Sequence, residues 1–269
     1  DKEFIVDGIQ GGAGTSANMN MNEVIANRAI ELLGGQKGDY SIVNPNDHVN
    51  CSQSTNDVIP TAGKMTSLRL LKNLKKELRR LYEALSKKAD EFDHVIKMGR
   101  TQMQDAVPIR LGQEFKAYSV AVMRDINRMD KAMDEMRTLN MGGTAVGTGI
   151  NADEAYLKRI VPNLVEISGM DFVQAFDLID ATQNLDPFVA VSGAIKACAV
   201  TLSKIANDFR LMSSGPRAGF GEINLPAKQN GSSIMPGKVN PVIPEVVNQV
   251  AFNVIGNDVT ITMAAEGGQ

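Results

Sequence analysis

The sequence predicts an all-α fold, a long-helix bundle, and this prediction depends on two patterns. Apolar residues recur every three or four positions over 111–136 and again over 71–85, the spacing that places them on one face of a helix. Both stripes run well beyond an average helix of about eleven or twelve residues. Almost no window alternates with period two, so a substantial sheet is not expected. Long helices with such seams pack together as bundles.

Local signals mark the individual helices. The first is expected to end at Gly34, because glycine favours the backbone conformation that terminates a helix. Pro60 is compatible with an early turn of the second, whereas Pro162 is expected to kink or divide the fourth. The six predicted helices cover roughly 16–33, 55–92, 109–139, 153–168, 183–213 and 241–265.

Composition argues against several classes of function. The net charge is −3, and no basic stripe with interleaved aromatic residues indicates a nucleic-acid partner. We expect no membrane span, no signal peptide and a location in the cytoplasm, since no apolar run approaches the required length. Cys51 and Cys198 lie far apart, and neither His48 nor His94 has carboxylates at metal-ligand spacing. No metal or other cofactor is therefore expected.

Function is expected in the loops. Long connections within a compact domain usually carry function or are disordered, and these contain too many specific polar residues to be disordered. The helices would then serve as a rigid frame. Four connections are long and rich in Gly, Ser, Thr, Asn and Gln: 34–54, 93–108, 141–152 and 213–238.

The segment Gly231–Pro241 is the most informative of these polar stretches. It contains two hydroxyls, Ser232 and Ser233, and the cation of Lys238. Asn240 is placed to cap a helix that begins at the following proline, which would direct the positive end of that helix towards the loop. The segment is therefore interpreted as an anion site with hydroxyls close to it.

Three further polar clusters precede predicted helices or occupy loops, namely Gly11–Ser16, Ser52–Asp57 and Gly99–Asp105. The first resembles a phosphate loop only superficially, because the lysine of that motif is absent. Each cluster also has a simpler interpretation, as a helix cap or a polar turn. Together with Gly231–Pro241, they suit the binding of a small dicarboxylate.

At this point the motifs resemble a known family. Gly-Ser-Ser-Ile-Met-Pro-Gly-Lys-Val-Asn-Pro at 231–241 resembles the signature of the aspartase/fumarase superfamily, and the other clusters resemble its remaining motifs in the same chain order. Three segments, 11–16, 52–57 and 244–249, look more like the aspartase branch. The resemblance implies that residues 1–269 are the central helix-bundle catalytic domain, without the family's N-terminal and C-terminal domains. It also implies a homotetramer with a shared helical core and active sites composed of loops from three subunits.

The resemblance further implies an activity. The expected reaction is reversible deamination of L-aspartate to fumarate and ammonia, in which Ser232 is the catalytic base that removes a β-proton and an aci-carboxylate intermediate forms. The substrate-binding residues implied by the resemblance are Ser54, Thr55 and Ser233 for the β-carboxylate, Thr101, Lys238 and Asn240 for the α-carboxylate, and Thr15, Asn56 and Gln102 for the amino group.

Gln102 is an informative departure, because many members of the superfamily have histidine after the preceding threonine. A glutamine side chain cannot titrate, so it offers no imidazole as a general acid. A hydroxide leaving group needs protonation, whereas an ammonium group departs as neutral ammonia, so Gln102 favours an ammonia-lyase. Fumarase remains the first alternative, and a non-catalytic structural fragment of the bundle is the second. A cofactor cyclised from Ala-Ser-Gly is excluded because that tripeptide is absent from the sequence.

Overall fold

The computed structural model describes residues 2–268, and long α-helices dominate that range. Within residues 2–268 the strands form only two pairs, each of two strands, which confirms the predicted all-α class. In chain order the elements are α1 (Thr15–Leu32), a π-helix (Pro45–Val49), α2 (Thr55–Glu91), β1 (Ile96–Thr101), β2 (Gln104–Arg110), α3 (Leu111–Glu135), β3 (Thr138–Leu139), α4 (Glu154–Ser168), β4 (Val173–Gln174), α5 (Leu178–Gln183), α6 (Asp186–Met212) and α7 (Val242–Gly267).

The predicted helices are present, with three differences. The third predicted helix, 109–139, corresponds to α3, which ends at Glu135. It stops there because the residues that follow include β3, which pairs in parallel with β4. Two short helices were not predicted, the π-helix and α5, and α5 lies immediately before α6. Of the two effects expected of Pro162, a kink or a division, the division does not occur, since α4 continues past it to Ser168.

The chain divides into two compact units. The first comprises the residues up to Arg69, Met133–Phe188 and those from Thr262 onward; the second comprises Leu70–Ala132 and Val189–Ile261. The first unit contains α1, the π-helix, the start of α2, α4 and α5. The second contains β1, β2, most of α3 and most of α6 and α7.

The core of the second unit is built from the predicted stripes. Along α2, every seventh residue is buried at Leu71, Leu78 and Leu85, the repeat of a helix packed along one seam. The stripe of α3 is confirmed as well. Its buried members in the second unit are Leu111, Phe115, Tyr118, Val122, Ile126 and Met129. The last two residues of the stripe, Met133 and Met136, are also buried but belong to the first unit, and Met136 lies just after the end of α3.

Helix α6 is the most apolar long helix. By length and composition it could cross a membrane, with a window of mean hydropathy 1.5 of which 33% is buried. The sequence-based expectation that no apolar run reaches this length is therefore wrong. The result is weak evidence of a membrane span, because a core helix satisfies the same two criteria. Two polar residues of α6, Ser192 and Lys196, bind the Asp258 carboxylate of α7 at 2.7 and 2.5 Å.

Candidate active site

In the first unit, the starts of α1 and α2 lie together. Thr15, the first residue of α1, donates its hydroxyl proton to the Gly12 carbonyl at 2.8 Å. Asn18 lies one turn further along the same face of α1. Its Nδ2 donates to the Thr55 hydroxyl at 3.2 Å. Thr55 is the first residue of α2, so two predicted site residues, Thr15 and Thr55, lie on neighbouring helix starts.

The start of α2 is stabilised by reciprocal capping. The Asn56 N–H donates to the Ser54 hydroxyl at 3.2 Å, and the Ser54 N–H donates to Asp57 Oδ1 at 2.9 Å. Asp57 is fully buried. Burial raises the pKa of its carboxyl, whereas the backbone N–H groups that donate to it act in the opposite direction. No role for Asp57 was predicted, although an acidic residue three positions after a serine indicates such a cap.

The hydrogen bonds within this cluster determine which of the predicted site residues can still donate to a ligand and which can still accept from it. Because the Ser54 and Thr55 hydroxyl oxygens already accept, each retains its own proton to donate to a ligand. Thr15 and Asn56 show the reverse arrangement. The Thr15 hydroxyl donates to Gly12, and Asn56 Nδ2 donates to the Ala145 carbonyl at 2.7 Å, so each retains an oxygen that can accept. The cluster thus offers donors suited to a carboxylate and acceptors suited to an ammonium group.

A buried asparagine network supports this cluster. Asn18 and Asn22, each 4% exposed, donate to Asn50 Oδ1 at 3.3 and 3.0 Å. The network therefore links α1 to the residue that follows the π-helix. His48 lies within that π-helix, where its Nδ1 accepts the Asn44 N–H at 2.9 Å. The imidazole thus organises its own loop. The hydrogen bonds that join Asn18, Asn22 and Asn50 were not predicted from the sequence.

In the second unit, the Gly231–Pro241 segment is a compact loop. The Ile234 N–H donates to the Ser232 hydroxyl at 3.3 Å, and the Lys238 N–H donates to the Met235 carbonyl at 3.2 Å. A Cβ at Gly231 would lie 2.3 Å from the Lys238 carbonyl oxygen, so only glycine permits the two ends of the loop to approach. Ser232 is half-buried.

Lys238 and Asn240 line a cavity of about 1240 Å³, together with Arg210, Arg217 and Met103. Among residues 2–268, Lys238 forms no ion pair, so its charge is available to a carboxylate. The predicted cap at Asn240 is not present: α7 begins at Val242 and, within the same range, no side-chain hydrogen bond from Asn240 caps it. Its amide is therefore also available. Ser233 is exposed on the same loop.

Thr101 and Gln102 lie at a β-hairpin rather than in the irregular loop expected from the sequence. Thr101, the last residue of β1, pairs with Gln104, the first of β2. Between them Gln102 and Met103 have φ of 51° and 60°, as in the tight turns that suit hairpins. Positive φ at non-glycine residues is unfavourable and concentrates at functional sites.

A cluster of opposite charges holds this hairpin within the second unit. The Arg100 guanidinium pairs with the Glu222 carboxylate and lies 3.8 Å from the Phe220 ring centroid. Lys97 Nζ lies 2.8 Å from both Glu222 and Glu114. Burial acts to raise the pKa of Glu222, but the hydrogen bonds from Arg100 and Lys97 outweigh it and lower that pKa overall. The cluster therefore fixes the residue that precedes Thr101.

The predicted site residues thus form two groups. Thr15, Ser54, Thr55 and Asn56 belong to the first unit, where hydrogen bonds link the starts of α1 and α2. The second group belongs to the second unit: Thr101, Gln102, Ser232, Ser233, Lys238 and Asn240. Over the part of the chain that the structure describes, no three His, Cys, Asp or Glu side chains converge to hold a metal ion.

The fold and these polar loops define a class, a long-helix protein with clusters of polar side chains at helix starts and in loops. A family model described as a lyase matches residues 1–256. Because the match covers almost the whole sequence, the chain belongs to this lyase family.

Named relatives are similar along nearly the whole chain. An aspartate ammonia-lyase of Bacillus subtilis (strain 168) is 60% identical over 267 residues, covering 99% of this chain and 56% of the relative. An aspartate ammonia-lyase of Escherichia coli (strain K12) is 54% identical over 267 residues, with coverage of 99% and 56%. The chain thus spans a little over half the length of these curated relatives.

Solved structures share the fold. A fumarate lyase:delta crystallin from Brucella melitensis, bound to cobalt, superposes with a TM-score of 0.97 at 56% identity, covering 100% of this chain and 58% of the other. A class II fumarase from Schistosoma mansoni gives a TM-score of 0.90 at 38% identity, with coverage of 100% and 60%.

Proposed function

We propose that the native protein carrying this chain is an ammonia-lyase that converts L-aspartate reversibly into fumarate and ammonia. The main support is the polarity of the first-unit cluster. Ser54 and Thr55 retain protons that can be donated to the β-carboxylate, while Thr15 and Asn56 retain oxygens that can accept from the amino group. A substrate with both a carboxylate and an ammonium group satisfies all four residues.

Ser232 is the proposed base for the β-proton of aspartate. A serine hydroxyl is a weak base unless its alkoxide is stabilised, and preorganised N–H donors are the usual means. The Ile234 N–H, which donates to Ser232 Oγ at 3.3 Å, would strengthen its bond as negative charge develops there. The glycines of the loop allow it to close over substrate and exclude water.

The electrons of the broken C–H bond pass into the β-carboxylate and give a dianionic intermediate. Ser54, Thr55 and Ser233 bind this group, and hydrogen bonds that strengthen as charge develops accelerate the step. Thr101, Lys238 and Asn240 bind the α-carboxylate. The intermediate then expels the amino group, which leaves the double bond of fumarate.

Gln102 supports an amine rather than a hydroxyl as the leaving group. The side chain lies at a hairpin turn with positive φ and cannot supply a proton by titrating. An ammonium group can depart as ammonia without a general acid, whereas hydroxide cannot readily depart unprotonated. Fumarase is therefore the second candidate, favoured only by the shared fold of the class II enzyme.

We also propose that the chain self-associates as a homotetramer whose active sites combine loops from several copies, with residues 1–269 as its central helical domain. Helix α7 supports this because its exposed surface is unusually apolar, and large exposed apolar surfaces commonly mark interfaces. The exposed apolar residues of α7 include Ile243, Val246, Val250, Phe252 and Val259. The unpaired thiols of Cys51 and Cys198 support a reducing compartment such as the cytoplasm.

The test is to incubate the native protein with L-aspartate and, separately, with L-malate, and to follow fumarate by its absorbance. Light scattering on the same sample gives the oligomeric state. Faster fumarate formation from aspartate supports the ammonia-lyase. Faster formation from malate favours fumarase, and an active monomer would contradict the composite site.

A further inference from the structure

A buried carboxylate ties the start of α2 to a glycine-rich loop, Asn140–Gly147. Asp57 Oδ1 accepts the Ser54 N–H at 2.9 Å, while Oδ2 accepts the N–H groups of Gly142 and Thr144 at 3.2 and 3.0 Å. All three partners are donors, which matches an ionised carboxylate that can only accept. One side chain thus fixes both segments of the first unit.

The loop is held in a demanding conformation. Thr144 has a φ of 57°, which is a genuine outlier for a β-branched residue. Such a conformation persists only where the surroundings over-determine it. At Gly147, where φ is 91°, a Cβ would lie 2.4 Å from the Ile179 Cα, so the loop packs with its backbone directly against α5.

The Asn56 amide is oriented by this loop. Its Nδ2 donates to the Ala145 carbonyl at 2.7 Å, and its own backbone carbonyl accepts from Asn140 Nδ2 at 2.9 Å. Since the Ala145 carbonyl can only accept, a flipped Asn56 amide would bring two oxygens together. The loop therefore sets which end of the amide remains for a ligand. Among residues 2–268, no group donates to that remaining oxygen.

We infer that Asp57 and the Asn140–Gly147 loop form a positioning device that keeps the Asn56 amide oxygen directed at the ligand, and that this device selects ligands bearing an ammonium group. The inference rests on the proposed function, in which Asn56 contacts the amino group of aspartate. Asp57 and Ala145 act through Asn56 and are positioning residues.

The test is Asp57→Asn in the native protein, with Asp153→Asn as the matched control. Asp153 also accepts backbone N–H groups at a helix start, from Ala155 at 2.7 Å and Tyr156 at 3.3 Å. Dissociation constants for L-aspartate and for succinate, which lacks the amino group, are measured by calorimetry in a Ser232→Ala background. Hydrogen exchange at the Gly142 and Thr144 amides reports on the loop directly.

For Asp57→Asn we expect exchange at Gly142 and Thr144 to accelerate about tenfold or more, because bonds to a charged acceptor are lost. The dissociation constant for aspartate should rise about tenfold, while that for succinate stays within about twofold. In an Asn56→Ala background, Asp57→Asn should cause no further loss of aspartate affinity, since coupled residues are not additive.

A second variant, Ala145→Gly, keeps the carbonyl and carries little risk to folding because Ala145 is exposed. The added backbone freedom should weaken aspartate binding by about threefold, again without affecting succinate. Equal losses for aspartate and succinate, additivity with Asn56→Ala, or unchanged exchange would each overturn the inference. Wild-type protein that forms no fumarate from aspartate contradicts the proposed function instead, and the exchange measurement still decides whether Asp57 holds the loop.

Discussion

Replacing Glu222 by Gln removes the negative charge between two cations. Glu222 accepts from Arg100 Nη1 at 3.2 Å and lies 2.8 Å from Lys97 Nζ. The side chains of Glu222 and Lys97 are only 14% and 7% exposed, so solvent screens them weakly. Breaking a buried pair costs about 3–5 kcal/mol. Because Gln retains one acceptor oxygen and Glu114 still pairs with Lys97, we expect a loss of about 3 kcal/mol.

The assay is urea unfolding at fixed protein concentration, combined with hydrogen exchange over β1 and β2. The backbone amide hydrogens of β1 and β2 should exchange faster in the variant, because Arg100 loses its charged partner. The pKa of Glu222 is lowered below its ordinary value of 4.5, so its contribution is complete above that value and disappears as the pH falls through the lowered pKa. The difference between wild type and variant should therefore shrink in acid.

The control is Glu154→Gln, which breaks an exposed pair with Lys158 at 3.3 Å. Exposed pairs contribute little, so its effect should stay below about 0.5 kcal/mol. If Glu222→Gln loses no more stability than this control, or if the difference from wild type grows as the pH falls, the Glu222 carboxylate does not stabilise the hairpin through its charge.

Two further predictions concern the first unit. Gly147→Ala should lower the free energy of unfolding in urea by about 3 kcal/mol, because the alanine would have positive φ and its Cβ would overlap the backbone of α5. The control is Gly12→Ala, where φ is 96° and nothing lies within 4 Å of the added Cβ, so the loss should be only about 1 kcal/mol. Equal losses at the two positions would contradict the overlap at Gly147. Burial raises the pKa of Tyr156 to about 12, and its hydroxyl has no partner among residues 2–268. Tyr156→Phe should therefore add about 1 kcal/mol near pH 7. It should also reduce the loss of stability expected as the pH rises from 10 towards 12, without abolishing it, because burial raises the pKa of Tyr118 and Cys198 as well; an unchanged profile would contradict this.

The helices could be predicted because their signal is local. The seven-residue repeat of Leu71, Leu78 and Leu85 is visible in the sequence, and all three are buried. Burial of one helical face determines where such residues lie, whatever the partner helix is. Helix ends depend on weaker interactions, which is why α3 ends before its predicted limit and α5 was missed.

The hairpin β1–β2 could not be predicted from local signals. Its turn, Gln102-Met103, lacks the Asn-Gly or Asp-Gly pair that normally marks a two-residue hairpin turn. The backbone there has positive φ at two ordinary residues, a cost that the sequence does not reveal. The supporting contact of Arg100 with Glu222 joins residues 122 positions apart.

For the candidate site, the sequence indicated which residues to consider but not their hydrogen-bond polarity. Whether Asn56 presents nitrogen or oxygen depends on the Ala145 carbonyl, 89 residues away. Likewise, the Thr55 hydroxyl keeps its proton because Asn18 of another helix donates to its oxygen. Such contacts require the tertiary fold.

The substitution Ser232→Ala removes the hydroxyl that is proposed to take the β-proton of aspartate. Fumarate formation from L-aspartate is followed in the native protein and the variant, with succinate binding as the check that the site remains intact. We expect the rate to fall by about 10²–10⁴-fold, the usual contribution of a general base, with succinate affinity unchanged. A variant that retains a near-normal rate would contradict the role of Ser232 as the base.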